Sequence, residues 1–423
     1  MADDEQRIAV SEAENRRSVW PLTIICLGLF ALLEALPLAL IILPHRSPPD
    51  GDFAGFYTLG KLLNEYGPGR LYDFALQQQI CNAVHPRGAA YGPLPYPPFV
   101  GLFFRPFAWL PFGIAYLIWA AASLAVYLLS LNRAMQLFGS LRTDERWLIS
   151  CLACSYLPFS ISTAAGGQLS AMAVGIFVMV LSLDMEGRLF CSGLALSACL
   201  YKPTLLLLVG PFLLVTRRFR TVAGFAVGGG LIAAATTALE GPAVWPHWIE
   251  AMRAFSRMTS GAEGQTILIL NKYADLMSFS AMLPGGRARL VGGLLVLFAL
   301  LMMAALLLAW WRARGAGNSY TTVLWVTTLT VSLLLNVYVP AYDTILAVLA
   351  LIVTGCVVRR LGSRRLWIAF HVLWVLLLAA GFAYTYVAER TQVQILTPVL
   401  AAIAAYQLYV LHRIRKSPDR QMA

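Results

Sequence analysis

The sequence predicts an all-α polytopic membrane protein, a single domain over residues 1–423 with about twelve transmembrane helices and a large first outer loop. Three observations predict it. Of 423 residues, 59% are hydrophobic and 13% charged, with a mean hydropathy of +0.69; soluble domains carry about twice that share of charge. A soluble chain of this length cannot hide so much apolar surface, whereas lipid tails can act as its solvent. Apolar runs recur at the ~20 residues that a bilayer core requires. Lysine and arginine fall in short clusters between those runs. The formal charge of +11 therefore belongs to the connections, a distribution that argues against a nucleic-acid surface.

Residues 1–18 form an acidic-start tail, read as cytoplasmic. The run at 19–43 is too long for a signal-peptide core and lacks a small-residue cleavage site, so it reads as a retained first helix. Residues 44–111 then form the first outer loop. Within it, GDFAGFYTLGKLLNEYG reads as a short amphipathic helix and LYDFALQQQICNAV as another, followed by the proline-rich YGPLPYPP. FVGLFFRPFAWL is apolar for only 12 residues and contains Arg105 and Pro106, so it reads as a helix lying in the membrane interface.

Spans follow near 112–137, 147–164 and 168–184. The stretch 189–216 breaks at Lys202-Pro203, because proline cannot continue the helical ladder and disfavours helix in the residue before it. It reads as two short helices meeting at a turn. A span at 221–239 precedes a second outer loop, 240–287, rich in tryptophan and polar residues. The remaining spans fall near 288–311, 321–339, 343–358, 366–388 and 393–411, and a basic tail closes the chain at 412–423.

Orientation follows from the basic clusters. Arg16 and Arg17, Arg142 and Arg146, Arg188, Arg217 to Arg220, Arg312 and Arg314, Arg359 to Arg365, and Arg413 to Lys416 share one side if twelve spans carry both termini into the cytoplasm. Adding or dropping one span scatters them over both sides. The expected setting is a bacterial inner (plasma) membrane, with the two long loops on the extracytoplasmic face.

Seven cysteines make no disulfide framework: only Cys81 lies in a large polar loop, and Cys151 and Cys154 read as packing residues within a helix. The histidines His45, His85, His247, His371 and His412 have no metal-ligand spacing. No metal site and no cofactor are expected, although Asp52 and Asp73 leave open a shared divalent ion.

Asp52 is the leading catalytic candidate. It lies just past the outer end of the first helix, where a carboxylate stays hydrated enough to ionise and can accept a hydroxyl proton. It is also a natural N-cap for a helix starting at Phe53. Lys202, between apolar runs, is costly to bury and so a functional candidate, suited to a phosphate or else reaching water through the kink. Gln168 follows two glycines at an outer junction, as site residue or turn cap. Asp343, beside Tyr342, is an N-cap or faces the same cavity. Lys61, Arg70, Tyr72, Asp73, Tyr96 and Arg105 populate the first loop. Cations and aromatics there suit a sugar phosphate, and each residue alone equally suits a solvated surface. Glu34, mid-helix in the first span, is assigned no role.

Asp52-Phe53 through Tyr57, Gly69 with Leu71-Tyr72, Tyr96-Pro97-Pro98, Gly167-Gln168, Lys202-Pro203 and Tyr342-Asp343 form an ordered set spread over nearly the whole chain. That set, with the long first outer loop, resembles glycosyltransferase family 87, membrane enzymes of the GT-C superfamily. The resemblance implies an inverting hexosyltransferase, with mannose the favoured sugar. The donor would be a polyprenyl-phosphate sugar reached from the membrane lipids, and the acceptor a lipid or glycan. It implies Asp52 as catalytic base. Lys202, Gln168, Arg105 and Arg70 would hold the donor phosphate, and Tyr57, Tyr72, Asp73, Tyr96, Tyr342 and Asp343 would line the sugar and acceptor cavity. The sequence departs from the family pattern at Leu169-Ser170 and has no histidine beside Tyr342-Asp343.

Two other classes compete. A secondary transporter of a small solute also uses broken helices, yet usually shows internal repeats and several ionisable groups deep in its spans; no repeat is visible here. A lipid-linked glycan ligase or a non-catalytic scaffold is the second alternative.

Overall fold

A computed structural model of the chain describes residues 51–84, 93–138, 141, 143–259, 269–283, 288–313 and 317–416. The expected first helix at 19–43 with Glu34, the N-terminal tail, and residues 417–423 of the C-terminal tail lie outside the described residues. Three short helices come first: α1 (Phe53–Glu65), α2 (Phe74–Val84) and α3 (Pro98–Phe104). Then follow α4 (Phe112–Phe138), α5 (Thr143–Cys154), α6 (Ser170–Met185), α7 (Leu189–Ser197), α8 (Val209–Val215) and α9 (Phe219–Glu240). The stretch 240–287 contributes α10 (Val244–Thr259) and α11 (Leu276–Met282). The chain continues with α12 (Ala288–Arg312), α13 (Asn318–Leu335), α14 (Ile345–Arg360), α15 (Arg364–Thr391) and α16 (Leu396–Lys416). Among the described residues the one β feature is an isolated antiparallel bridge, Tyr273 to Pro340.

Five of these stretches are long and apolar enough to cross a membrane: Phe112–Phe138, Phe219–Glu240, Val291–Arg312, Ala341–Arg360 and Arg364–Thr391. Ser170–Met185 and the two halves Leu189–Tyr201 and Pro203–Val215 are apolar but shorter. The span expected at 147–164 is composite: α5, a break, and a π-helical segment Pro158–Ala165. Pro158 has no N–H to donate back to the Cys154 carbonyl. The Ser160 hydroxyl donates to that carbonyl instead, at 2.7 Å.

The Ala341–Arg360 stretch is the bundle's axis, 94% buried over its most apolar window, whereas that of Val291–Arg312 is 11% buried. α12 turns Leu294, Leu297, Leu300 and Leu301 outward. Lipid is the solvent that makes such a surface stable. In α13, buried Thr327, Thr328 and Thr330 donate to the carbonyls four residues back, at 2.7, 2.8 and 3.1 Å, so no hydroxyl among them is left without an acceptor. α7 and α9 touch backbone to backbone. A Cβ on Gly224 would sit 2.0 Å from the Phe190 carbonyl, and one on Gly228 would sit 2.2 Å from Ser197 Oγ. The four-residue spacing of small residues lets these helices approach.

The expected break at Lys202-Pro203 is present. Lys202 is extended (φ −139°, ψ 78°) between 3-10 segments Ala198–Tyr201 and Pro203–Leu206. Asn336 donates to the Thr204 carbonyl at 2.7 Å and so satisfies part of the opened backbone.

The short helix expected in GDFAGFYTLGKLLNEYG is present as α1, but it is more enclosed than an amphipathic pattern implies: every residue from Phe53 to Gly60 is buried. Phe53 and Phe56 stack against Phe104, Phe112, Tyr116 and Trp119 of α3 and α4, which absorb the face expected to be wet. Cys81, expected in a polar loop, is likewise buried, with a free thiol.

Ion pairs knit the arginine-rich helix ends together. Arg133 pairs with Glu186, Arg218 with Asp184, and Arg359 with Glu145. These join the C-terminal ends of α4, α6 and α14 to the N-terminal ends of α9 and α5, so all lie at one end of the bundle. Asp52 and its neighbours lie at the opposite end.

Candidate active site

The site is built on a contact between two backbone turns. The Phe53 N–H donates to the Gly166 carbonyl at 3.1 Å. Gly51 rides so close to Gly166 that a Cβ there would meet its carbonyl oxygen at 2.3 Å. Gly167 has φ +75°, and a Cβ on it would strike Phe53 Cβ at 2.5 Å. Only glycine meets both demands. Trp119 Nε1 donates to the Gly167 carbonyl at 2.8 Å. The sequence Gly166-Gly167-Gln168 thus fixes where α1 starts and where its first residue points.

Asp52 occupies the N-cap position of α1, yet its side chain makes no capping hydrogen bond. The carboxylate is therefore not spent on the helix. It is accessible to solvent, yet protein surrounds it closely enough to weaken its hydration. Desolvation raises its pKa above the ordinary carboxylate value, and the charges of Lys202 and Lys272 pull in the other direction.

The broken hairpin brings Lys202 within electrostatic reach of Asp52. Its Nζ donates to Asp343 Oδ2, and Ser170 Oγ donates to Asp343 Oδ1 at 3.0 Å. The ammonium also sits 4.8 Å from the centroid of the Tyr342 ring. Gln168, buried, is hydrogen-bonded to the Tyr342 side chain. Asp343 is thus no N-cap: it is the buried counter-ion of Lys202. Tyr96 joins this group. Its ring packs on Phe56 at 5.2 Å, and its carbonyl accepts from Tyr72 Oη at 2.8 Å. Burial, then the charges of Asp52 and Asp343, push the Tyr96 phenol up, so it stays a proton donor.

Other expected residues lie elsewhere. Arg105 Nη1 pairs with Glu240 at 3.0 Å and its Nε donates to Asn64 at 3.0 Å. Asn64 is twelve residues past Asp52, about 18 Å further along α1. Arg70 is exposed and paired with Asp73 at 3.0 Å, and Asp73 also accepts from the Leu76 N–H at 3.1 Å to start α2. Tyr57 is buried and donates to the Leu110 carbonyl at 2.8 Å. Tyr72 acts on the site through the Tyr96 backbone. Each of these side chains is engaged in an ion pair or a hydrogen bond with another part of the fold.

Sequence reasoning missed Lys272 and Tyr273, from the stretch between α10 and α11. Both lie within electrostatic reach of Asp52. Burial first, then Asp275, Asp52 and Tyr338, raises the Tyr273 phenol to about 12. The segment is stitched to the approach of α14. Tyr273 bridges Pro340, the Ala274 N–H donates to the Val339 carbonyl at 2.8 Å, and Asp275 accepts from the Val339 N–H at 2.8 Å. One signal was available: the chain has only four lysines, Lys61, Lys202, Lys272 and Lys416, and the charges of two of them act on Asp52.

Among the described residues, no group of three or more His, Cys, Asp or Glu gathers as metal ligands do. The arrangement offers one unengaged carboxylate able to accept a proton, compact cations able to hold an anion, and aromatic faces. The family model of glycosyltransferase family 87 matches residues 94–340, more than half of the chain. The matched stretch holds Tyr96, Gln168, Lys202 and Lys272; Asp52 and Tyr342-Asp343 flank it. No curated protein and no solved structure matches the chain.

Proposed function

The chain belongs to glycosyltransferase family 87, and from that premise we propose that it is an inverting hexosyltransferase using a polyprenyl-phosphate sugar, with mannose favoured. The acceptor is a lipid or glycan on the extracytoplasmic face of a bacterial inner membrane. Asp52 is the base. The observation that carries this reading is a carboxylate placed at a helix start, spared from capping, and within electrostatic reach of two lysines.

In the transfer, the acceptor hydroxyl gives its proton to Asp52 as its oxygen bonds to the anomeric carbon. The bond from that carbon to the phosphate oxygen breaks, and its electron pair leaves with the polyprenyl phosphate. Attack opposite the leaving group inverts the centre. Phosphate is already a stable anion, so the protein's task is to position groups and balance charge. Lys202, held by Asp343 and Tyr342, keeps donors for a phosphate oxygen, and Gln168 and Tyr96 line the sugar side. Arg105 and Arg70 are left out of this donor site by their placement: Arg105 is held by Glu240 and by Asn64 far along α1, and Arg70 is exposed and paired with Asp73.

Placement outside the cytoplasm is supported by geometry: the arginine-rich helix ends lie at the other end of the bundle, and such clusters face the cytoplasm. The test is incubation of membranes with a panel of labelled polyprenyl-phosphate sugars, followed by lipid and glycan extraction. Wild type consumes one of them; Asp52→Asn, expressed at the same level, does not. Equal consumption by both would remove Asp52 as base, and consumption of none would remove the donor class.

A further inference from the structure

We propose that Lys272 supplies the uncompensated positive charge that receives the donor's phosphate as it leaves; the inference rests on the transferase reading above. The starting point is a charge count. Breaking the sugar–phosphate bond turns a phosphodiester into a phosphomonoester, which gains a negative charge at the leaving oxygen. Lys202 is the obvious partner, but its ammonium is already matched by the Asp343 carboxylate. The pair together is neutral. It offers hydrogen-bond donors but no net charge.

The described cations of the first loop are matched in the same way. Lys61 pairs with Glu65, Arg70 with Asp73 and Arg105 with Glu240. Lys272 differs. It is exposed and makes no ion pair among the described residues. It adjoins Tyr273, whose bridge to Pro340 places this turn beside the segment leading to Tyr342 and Asp343, and its positive charge lowers the Asp52 pKa.

Its backbone is also fixed. Lys272 closes the 3-10 turn Leu270–Lys272. Gln394 Nε2 donates to the Asn271 carbonyl at 2.6 Å on one side, and Thr397 Oγ1 to the Ala274 carbonyl at 3.0 Å on the other. The Tyr273–Pro340 bridge ties this turn to the segment that leads into Tyr342 and Asp343. A compact ammonium with three donors on a pinned turn suits a phosphate whose charge grows during the reaction.

The experiment uses full-length protein in lipid nanodiscs, with undecaprenyl phosphate as probe and undecaprenol as the uncharged control. Lys272→Ala weakens undecaprenyl phosphate binding by about ten- to a hundredfold, the span of a hydrogen bond to a charged group. Undecaprenol binding stays unchanged, and Lys272→Arg restores most of the loss. An exposed residue without a partner leaves the thermal midpoint of the variant at the wild-type value, which separates binding from folding. Unchanged phosphate affinity, or equal weakening of both probes, overturns the proposal. A wild-type protein that binds both probes equally overturns it together with the donor class. Phosphate-selective, Lys272-dependent binding without sugar consumption in membranes upholds the anion site and removes the transferase reading alone.

Discussion

The ammonium of Lys202 is held by the carboxylate of Asp343, 141 residues further along the chain. The two side chains are 18% and 4% exposed. One closes a helix break and the other opens the central helix, so this pair locks the break to the axis of the bundle.

Removing one partner strands the other. Lys202→Ala leaves a buried carboxylate without its cation and costs about 3 kcal/mol or more, while Lys202→Met with Asp343→Leu recovers most of the loss. Thermal unfolding in detergent reads this order. In kinetics, Lys202→Ala raises the donor KM more than it lowers kcat at saturating donor; an unchanged KM would take Lys202 out of the donor site.

Asp52→Asn keeps the fold, because the side chain makes no structural hydrogen bond at the helix start. Transfer falls by about a hundredfold or more, the scale of a lost general base. Comparable turnover in matched, folded samples would assign the proton transfer elsewhere.

The pH profile carries a sign. Catalysis needs the ionised carboxylate, and burial raises the Asp52 pKa above its ordinary value. Activity is therefore lost, as pH falls, at a pH above the usual carboxylate range of about 4. Lys272→Ala removes a charge that lowers this pKa, so the acid limb of kcat/KM moves to still higher pH. A limb that stays in place or moves down contradicts these electrostatics.

Gly167→Ala meets two penalties, a positive φ of +75° and a contact of 2.5 Å with Phe53 Cβ. It lowers stability by about 1 kcal/mol from the backbone alone, and it displaces Asp52 through Phe53. Trp119→Phe removes the hydrogen bond to the same turn, at about 1 kcal/mol. Both variants lose more activity than their thermal shifts explain if the turn aims the carboxylate; loss of stability with activity per folded molecule intact would reduce it to a scaffold.

Arg105→Ala strands Glu240, whose side chain is 1% exposed. Stability drops and the donor KM does not change. A large rise in KM would return Arg105 to the phosphate site.

What the sequence exposed was period, length and breakage. The Lys202-Pro203 break was legible because proline chemistry is local, and most described spans lie within a few residues of their expected ends for the same reason. The composite 143–165 segment was not, because Pro158 lies inside an apolar run that reads as continuous. Lys202 and Asp343 stood out because an ionisable group there interrupts apolar sequence, and Asp52 because it follows the end of an apolar run. Charges inside polar loops carried no such mark. Only the tertiary structure shows that Glu240 pairs with Arg105 and that the charge of Lys272 reaches Asp52. Gln168 was found through its glycines, but its bond to Tyr342 joins residues far apart in the chain.

α12 gives almost none of its most apolar stretch to the rest of the protein. Hydrocarbon tails are thus as much its packing partner as any side chain. Stripping annular lipid with a short, harsh detergent removes that partner first from α12, while the enclosed Ala341–Arg360 axis is left as it was. Loss of function on purification would then begin at the rim of the bundle, and adding back bilayer lipid would reverse it.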